Sequence, residues 1–299
     1  MKLGVLGPLT LTSGDNSYLP TAPKQRQLLS LLLANIGYEV SLGQCMEELW
    51  DGAPPRTAPS AVQTYVLQIR RLLAQVPEIG SLPQAHRILQ TSTRGYLLST
   101  DIGELDTDEF DRRLRAAQAV SRQRDPAAAA ELYARALDVW RGPALADVEL
   151  GPRLQLYVTA LEESHLLALE ERIEAELTLG RHHELLSELY VNVMRYPTNE
   201  SLRAQLMLAL FRSGRQVQAL HAYRELRQAL HNELGVDPSL KIRRLHQAIL
   251  ASDSSLDVDV PPERRLSLDL VRDSTVPSTR RWRGPMSPAH AGLAFRAVR

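Results

Sequence analysis

The sequence predicts a mostly α chain with small β elements: an N-terminal winged helix-turn-helix followed by an all-α, tetratricopeptide-like helical repeat domain. Three observations predict it. Short apolar runs, broken by Gly7-Pro8 and Ser13-Gly14-Asp15-Asn16, give way to three helix-period segments and then to a strand-like pair around Arg94-Gly95, which is the element order of a winged helix. Beyond Glu104 the composition is almost wholly helical as far as Ser252. Within that stretch Gly180-Arg181 recurs as Gly214-Arg215, 34 positions later, the period of paired-helix repeats.

In residues 1–20, Leu3, Val5, Leu6, Leu9 and Leu11 fit short strands between turn signals. From Pro23 the period turns helical: Leu28, Leu29, Leu31, Leu32 and Leu33 make one wide buried stripe that ends at Asn35-Ile36-Gly37. Tyr38 to Leu42 fits a brief strand. Ser41 is placed to cap a second helix over 43–50, with Cys45, Met46, Leu49 and Trp50 as its core face, and Asp51-Gly52-Ala53-Pro54-Pro55 stops it. A third helix is predicted over 59–75. Val62, Val66, Ile69, Leu72 and Leu73 recur every three to four positions and face inward, whereas Gln63, Thr64, Gln68, Arg70 and Arg71 fall mainly on other faces. After Pro83 the composition returns to strand, with Ile88, Leu89, Thr91, Ser92 and Thr93, a turn at Arg94-Gly95, and then Tyr96-Leu97-Leu98. A hairpin with arginine at its tip is the simplest reading.

Around the second glycine-arginine pair, Leu206 and Leu210 precede the turn and Ala219, Tyr223 and Leu226 follow it, as two helices packed across a short turn require. A fainter copy lies in 125–140, with Ala129, Tyr133 and Ala136 in the corresponding places, and Pro197 closes the first unit. Beyond Ser252, Pro261, Pro262, Pro277, Pro285 and Pro288, many serines and the run Arg280-Arg281-Trp282-Arg283 show no sustained period. A disordered tail is therefore expected over 253–299, after a winged domain at 1–100 and a helical domain at 104–252.

Net charge is zero but unevenly spread. Residues 1–100 carry 8 Lys+Arg against 6 Asp+Glu, residues 101–252 carry 19 against 23, and residues 253–299 carry 8 against 6. A uniformly basic nucleic-acid coat is excluded, so any DNA contact must come from a local patch. The lone Cys45 excludes an intramolecular disulfide and a four-cysteine zinc site, and its apolar neighbours mark it as a core residue. No apolar run reaches the roughly 18 residues of a membrane span, and the first residues lack the apolar stretch of a signal peptide; a soluble, cytoplasmic protein without membrane contact is expected. No glycine-rich phosphate loop is present, Gly151-Pro152-Arg153 reads as a turn, and His182-His183 point about 100° apart on a helix with no third ligand at metal spacing. Neither enzymatic activity nor a cofactor or metal is expected.

Chemistry concentrates on the third helix. Between Asp51 and Glu78 there is no acidic residue, while Arg56, Arg70 and Arg71 are present. A helix about 10 to 12 Å across matches the DNA major groove. Gln63, Thr64 and Gln68 suit base edges, Arg56, Arg70 and Arg71 suit phosphates, and Arg94 at the hairpin tip suits an adjacent backbone or minor groove. The plain alternative is an ordinary solvated helix face, against which stand the acid-free stretch and the winged order.

The string from Ala58 to Leu73 (APSAVQTYVLQIRRLL), with Cys45-Met46-Glu47-Glu48-Leu49-Trp50 before it and Thr93-Arg94-Gly95-Tyr96-Leu97-Leu98 after it, resembles the Streptomyces antibiotic regulatory protein family. Leu105-Asp106-Thr107-Asp108-Glu109-Phe110, the run from Gly214 to Tyr223, and Glu233-Leu234-Gly235-Val236-Asp237-Pro238 extend the resemblance over about residues 1–252. It implies an OmpR-like winged domain joined to a bacterial transcriptional activation domain. It also implies a homodimeric activator of an antibiotic gene cluster that binds direct repeats near a promoter's −35 region and recruits RNA polymerase. The sequence departs from the family at Leu67, where relatives carry a polar or basic residue, so an apolar contact with a thymine methyl is expected there. The candidate DNA-binding set is Arg56, Ser60, Gln63, Thr64, Leu67, Gln68, Arg70, Arg71 and Arg94. Glu162-Glu163 and Glu170-Glu171 read as one solvated helix face, with a polymerase-contacting patch as the alternative. Rival readings are a protein-interaction module whose winged domain binds protein, which the acid-free helix disfavours, and a repressor at the same site. Residues 1–100 are expected to fold and bind DNA alone.

Overall fold

Leu3 is buried in a sheet that closes only at Leu105. In the computed structural model, which describes residues 1–257, β1 (Lys2–Gly4) pairs antiparallel with β2 (Thr10–Ser13), which pairs with β3 (Asn16–Ser17). The helix α1 (Pro23–Ala34) follows, with proline at its first position, where the missing N–H costs nothing. β4 (Glu39–Ser41) leads into α2 (Leu42–Trp50), begun by a capping box in which the Ser41 hydroxyl accepts from Gln44 N and the Gln44 side chain accepts from Ser41 N.

The third helix, α3 (Ala58–Leu73), buries Val62, Val66, Ile69 and Leu73 on one stripe. The structure differs from the sequence reading after it: residues expected as the start of a strand form a short helix, α4 (Leu82–Ile88), with Pro83 in its first turn and Ser81 as its cap. The hairpin is therefore shorter, β5 (Leu89–Thr91) and β6 (Gly95–Leu98), with β4 as its third strand in the order β4-β6-β5. Val40 lies opposite Tyr96, and any side chain at Gly95 would collide with the Val40 carbonyl.

The chain then returns to the first sheet. β7 (Glu104–Leu105) pairs parallel to β1, with Leu3 opposite Leu105, and α5 (Asp106–Arg122), α6 (Pro126–Leu137) and α7 (Pro152–Thr178) follow. Asp106 accepts from Val5 N at 2.9 Å and Leu6 N at 3.0 Å, and Arg141 binds both Asp106 and the Pro8 carbonyl. The repeats appear as helix pairs: α7 with α8 (His182–Arg195), then α9 (Glu200–Arg212) with α10 (Gln216–Leu234), closed by α11 (Leu240–Leu250). Gly180 and Gly214 occupy the same left-handed turn position in both pairs. Ala129, Tyr133 and Ala136 are buried on α6, as the fainter copy predicts.

Two apolar cores result, and their boundary is not where the composition changes. One runs from Leu3 through α1, α2, α3 and the hairpin to Ala168; the other runs from Leu169 to Ile249. Both meet inside α7, whose 27 residues span about 40 Å. The joint is fixed by Glu48, which is 1% exposed. Its carboxylate accepts from Gly151 N at 2.7 Å, Arg153 N at 2.8 Å and Leu154 N at 3.1 Å, filling the unsatisfied N-terminus of α7 with negative charge. A side chain at Gly151 would strike the Glu48 carbonyl, so glycine is needed for this approach. Cut at residue 100, the chain would lack β7 and the part of this core beyond it, which argues against the expectation that residues 1–100 fold alone. The chain also stays packed beyond Ser252: a single 3-10 turn, Ser254–Leu256, places the Leu256 carbonyl 2.7 Å from Arg212 Nε. The reading of a disordered tail otherwise falls on residues 258–299, outside the described residues.

Glu48→Ala removes the shared acceptor of three buried N–H groups and is expected to cost about 3 kcal/mol. Urea unfolding of the full chain measures this, and a loss below about 1 kcal/mol would contradict the role given to the carboxylate. In the same assay residues 1–100 are expected to show no cooperative transition.

Candidate nucleic-acid interface

The helical period that buries Val62, Val66 and Ile69 sends the intervening positions outward. Ser60, Gln63, Thr64, Leu67 and Arg71 are exposed along one side of α3, and Arg56 is exposed in the loop before it. Leu67 sits at 36% exposure on this otherwise polar side. The Ser60 and Thr64 hydroxyls donate to Thr57 O and Ser60 O, at 2.8 and 2.9 Å, so each oxygen keeps its acceptor capacity for an incoming group. Among the described residues the Gln63 side chain makes no hydrogen bond, and Arg56, Arg71 and Arg94 form no ion pair. These three guanidinium groups keep their donors free for phosphates or guanine edges.

Two predicted residues are placed otherwise. Arg70 is 7% exposed: its Nε donates to Leu89 O at 2.9 Å and a terminal nitrogen donates to Thr91 Oγ1 at 2.7 Å. The expected phosphate clamp is corrected to a strut that ties α3 to the first strand of the hairpin. Burial lowers its pKa and the Tyr96 hydroxyl opposes that shift, but the group stays protonated throughout the physiological range. Gln68 is half-buried, and its Oε1 accepts from Gln25 Nε2 on α1 at 2.6 Å. Its amide is thereby oriented by a residue 43 positions earlier, a partner that no local pattern announces.

The hairpin tip consists of Ser92, Thr93 and Arg94. Ser92 Oγ accepts from Gly95 N and donates to Glu39 on β4 at 2.7 Å, which holds the turn while Arg94 projects exposed. The structure therefore brings Arg56, Ser60, Gln63, Thr64, Leu67 and Arg71 onto α3 and its approach, and sets Arg94 on the hairpin that Arg70 fastens to the same helix.

The remaining chemistry-bearing residues have structural settings. Burial pushes the Cys45 thiol up to about 12, which removes its thiolate at neutral pH. The His182 and His183 rings lie 4.4 Å apart and tilted by 42°, and no group of three metal-ligating side chains occurs among the described residues. No helix among the described residues is long and apolar enough to cross a membrane. The glutamates of α7 do not form one solvated face as expected. Of Glu162, Glu163, Glu170 and Glu171 only Glu163 is exposed; Glu162 accepts from Ala144 N at 3.0 Å, and Glu170 accepts from Asn199 Nδ2 at 2.7 Å.

Because Arg70 is a strut and Arg71 is free, substitutions at adjacent positions should separate. Arg70→Ala is expected to cost about 2 kcal/mol through the uncovered Leu89 carbonyl and lost packing. Arg71→Ala should stay within about 0.5 kcal/mol of the parent. Equal stabilities in urea titrations would contradict the assignment.

Comparison with known proteins places these elements. Residues 16–98 match the family described as transcriptional regulatory protein, C terminal, and residues 105–250 match the bacterial transcriptional activator domain. The chain is 41% identical over 261 residues to the regulatory protein DnrI of Streptomyces peucetius, covering 87% of this chain and 96% of that protein. It is 34% identical over 295 residues to the transcriptional regulator RedD of Streptomyces coelicolor, covering 98% of this chain and 77% of RedD. The solved structure of Mycobacterium tuberculosis EmbR in complex with a low affinity phosphopeptide superposes with a TM-score of 0.74 at 31% identity, over 84% of this chain and 65% of EmbR. With both domain families in order and a relative matched over nearly its whole length, this chain belongs to the Streptomyces antibiotic regulatory protein family of transcriptional activators.

Proposed function

We propose that the protein binds promoter DNA with α3 in the major groove and the β5–β6 hairpin against the neighbouring backbone or minor groove. The observation that carries this reading is the acid-free, outward side of α3, where Ser60, Gln63, Thr64, Leu67 and Arg71 are exposed while the apolar stripe of the same helix is buried. Gln63 and Thr64 read base edges, Leu67 meets a thymine methyl, and Gln68 reaches its base from a position set by Gln25. Arg56, Arg71 and Arg94 neutralise phosphates, which supplies affinity without sequence preference. In this reading the protein acts as a homodimer on direct repeats near the −35 region of an antibiotic biosynthetic promoter. Its helical half recruits RNA polymerase and so activates transcription.

Joining α2, the helix that precedes and packs in one core with α3, to α7 through Glu48 supports such a division, because a duplex held by α3 sets the position of the helical half without a flexible linker. In vitro transcription from a template carrying the bound site, with and without the protein, decides between activation and repression.

Mobility shifts over a salt titration test the DNA contacts. Gln63→Ala and Thr64→Ala should each weaken the cognate site by about 1 to 3 kcal/mol and leave random DNA nearly unchanged. Arg56→Ala, Arg71→Ala and Arg94→Ala should weaken both DNAs alike and reduce the salt slope by about one unit each. Equal losses on cognate and random DNA for all five variants would sink the readout assignment.

A further inference from the structure

Away from the DNA-facing side, α7, α9 and α11 wall a groove of about 500 Å³, within the range of ligand sites. One wall carries Glu170, Glu171 and Glu174, and Ala204, Leu208 and Leu245 supply apolar surface. Bordering both is Gln205, which is 7% exposed. Its Nε2 donates to the Glu170 carbonyl at 2.8 Å, and its Oε1 is a buried acceptor with no donor among the described residues. Such an orphan is uncommon in a folded chain and has a cost that a bound donor would remove.

The carboxylates are also incompletely matched. Glu170 spends one oxygen on Asn199 Nδ2. Glu174 is exposed and lies in the field of Arg212, and neither Glu171 nor Glu174 forms an ion pair at contact distance among the described residues. Burial, followed by the neighbouring Glu174 and Glu170, holds the Glu171 carboxyl above its usual range. Lys241, exposed at the rim on α11, also makes no contact pair with them. The groove thus offers concentrated negative charge, an unmet acceptor and adjoining apolar surface.

We infer that this groove takes the cationic side chain of an arginine or lysine presented by a partner polypeptide, its methylenes against Leu208 and Leu245 and its charged head at Glu171, Glu174 and Gln205. A donor-rich head satisfies the Gln205 Oε1 while neutralising the carboxylates, and the stem covers the leucines. Clustering of charge on one wall suits a single cationic head on an apolar stem better than a linear polyamine, whose charges recur every few carbons. The inference is independent of the DNA-binding reading: it can fail while the mobility shifts succeed, and the reverse.

Fluorescence anisotropy on the full chain tests it with three probes: dye-labelled acetyl-Leu-Arg-Leu-amide, the same peptide with neutral citrulline for arginine, and spermidine as competitor. The arginine peptide should bind at least about tenfold tighter than the citrulline peptide, as expected when one partly desolvated charge pair is lost. Glu171→Gln with Glu174→Gln should abolish that preference while leaving the fold intact, since neutralising crowded carboxylates relieves repulsion. Lys241→Gln should tighten the arginine peptide by about threefold by removing a like charge. Equal affinity for the two peptides, or an arginine preference that survives the double substitution, overturns the proposal. Displacement by spermidine at lower concentration than by unlabelled arginine peptide overturns the polypeptide source.

Discussion

The arrangement of this protein depends on one buried carboxylate. Glu48 sits at the end of the helix preceding α3, yet its acceptors serve the first turn of a helix more than 100 residues away. A buried charge is costly unless fully paired, and here three backbone donors at a helix N-terminus do the pairing. Gln27 on α1 completes the arrangement, with its amide on the Glu48 carbonyl at 2.8 Å. Around the rim, Glu47 pairs with Arg153 at 2.7 Å, and Lys24 donates to the Leu49 carbonyl at 2.6 Å. The three helices α1, α2 and α7 consequently share one polar joint with few exchangeable partners.

A second clamp makes the joint resistant to rotation. Asp106 holds the backbone of Val5 and Leu6, and Arg141 N and Leu145 N donate to Leu6 O and Val5 O at 2.8 and 3.0 Å. Arg26 on α1 adds an ion pair with Asp147, whose other oxygen accepts from Leu9 N at 2.7 Å. Two separated sets of contacts fix both position and angle, whereas either alone would leave a pivot. The helical half therefore points in one direction for any given docking of α3, and α7 carries that direction from the first core into the second.

Much of this was legible in the residues. The helical period of Leu28 to Leu33, the Ser41 cap, the apolar stripe of α3 and the 34-residue recurrence are local signals, and the corresponding elements lie where they imply. The short α4 was missed because its seven residues contain too little apolar periodicity to outweigh neighbouring strand formers. The union of β1 with β7 was missed for a different reason: a two-residue strand has no period, and its partner lies 102 positions away. Glu48 gave no sign either. In sequence it is one of two adjacent glutamates on a helix, and only the fold buries it while leaving Glu47 at the surface.

The candidate interface shows the same limit at the scale of one residue. Arg70 and Arg71 are chemically identical and adjacent, and both suit a phosphate. A step of about 100° around α3 separates them. It turns Arg70 onto the Leu89 carbonyl and Thr91, beneath the hairpin, and leaves Arg71 in solvent. Composition therefore overstates the charge this helix can present, since part of it is consumed in holding the hairpin. The two settings remain linked: Arg94 faces outward from the strand pair that Arg70 pins to α3, so the internal arginine fixes where the external one stands.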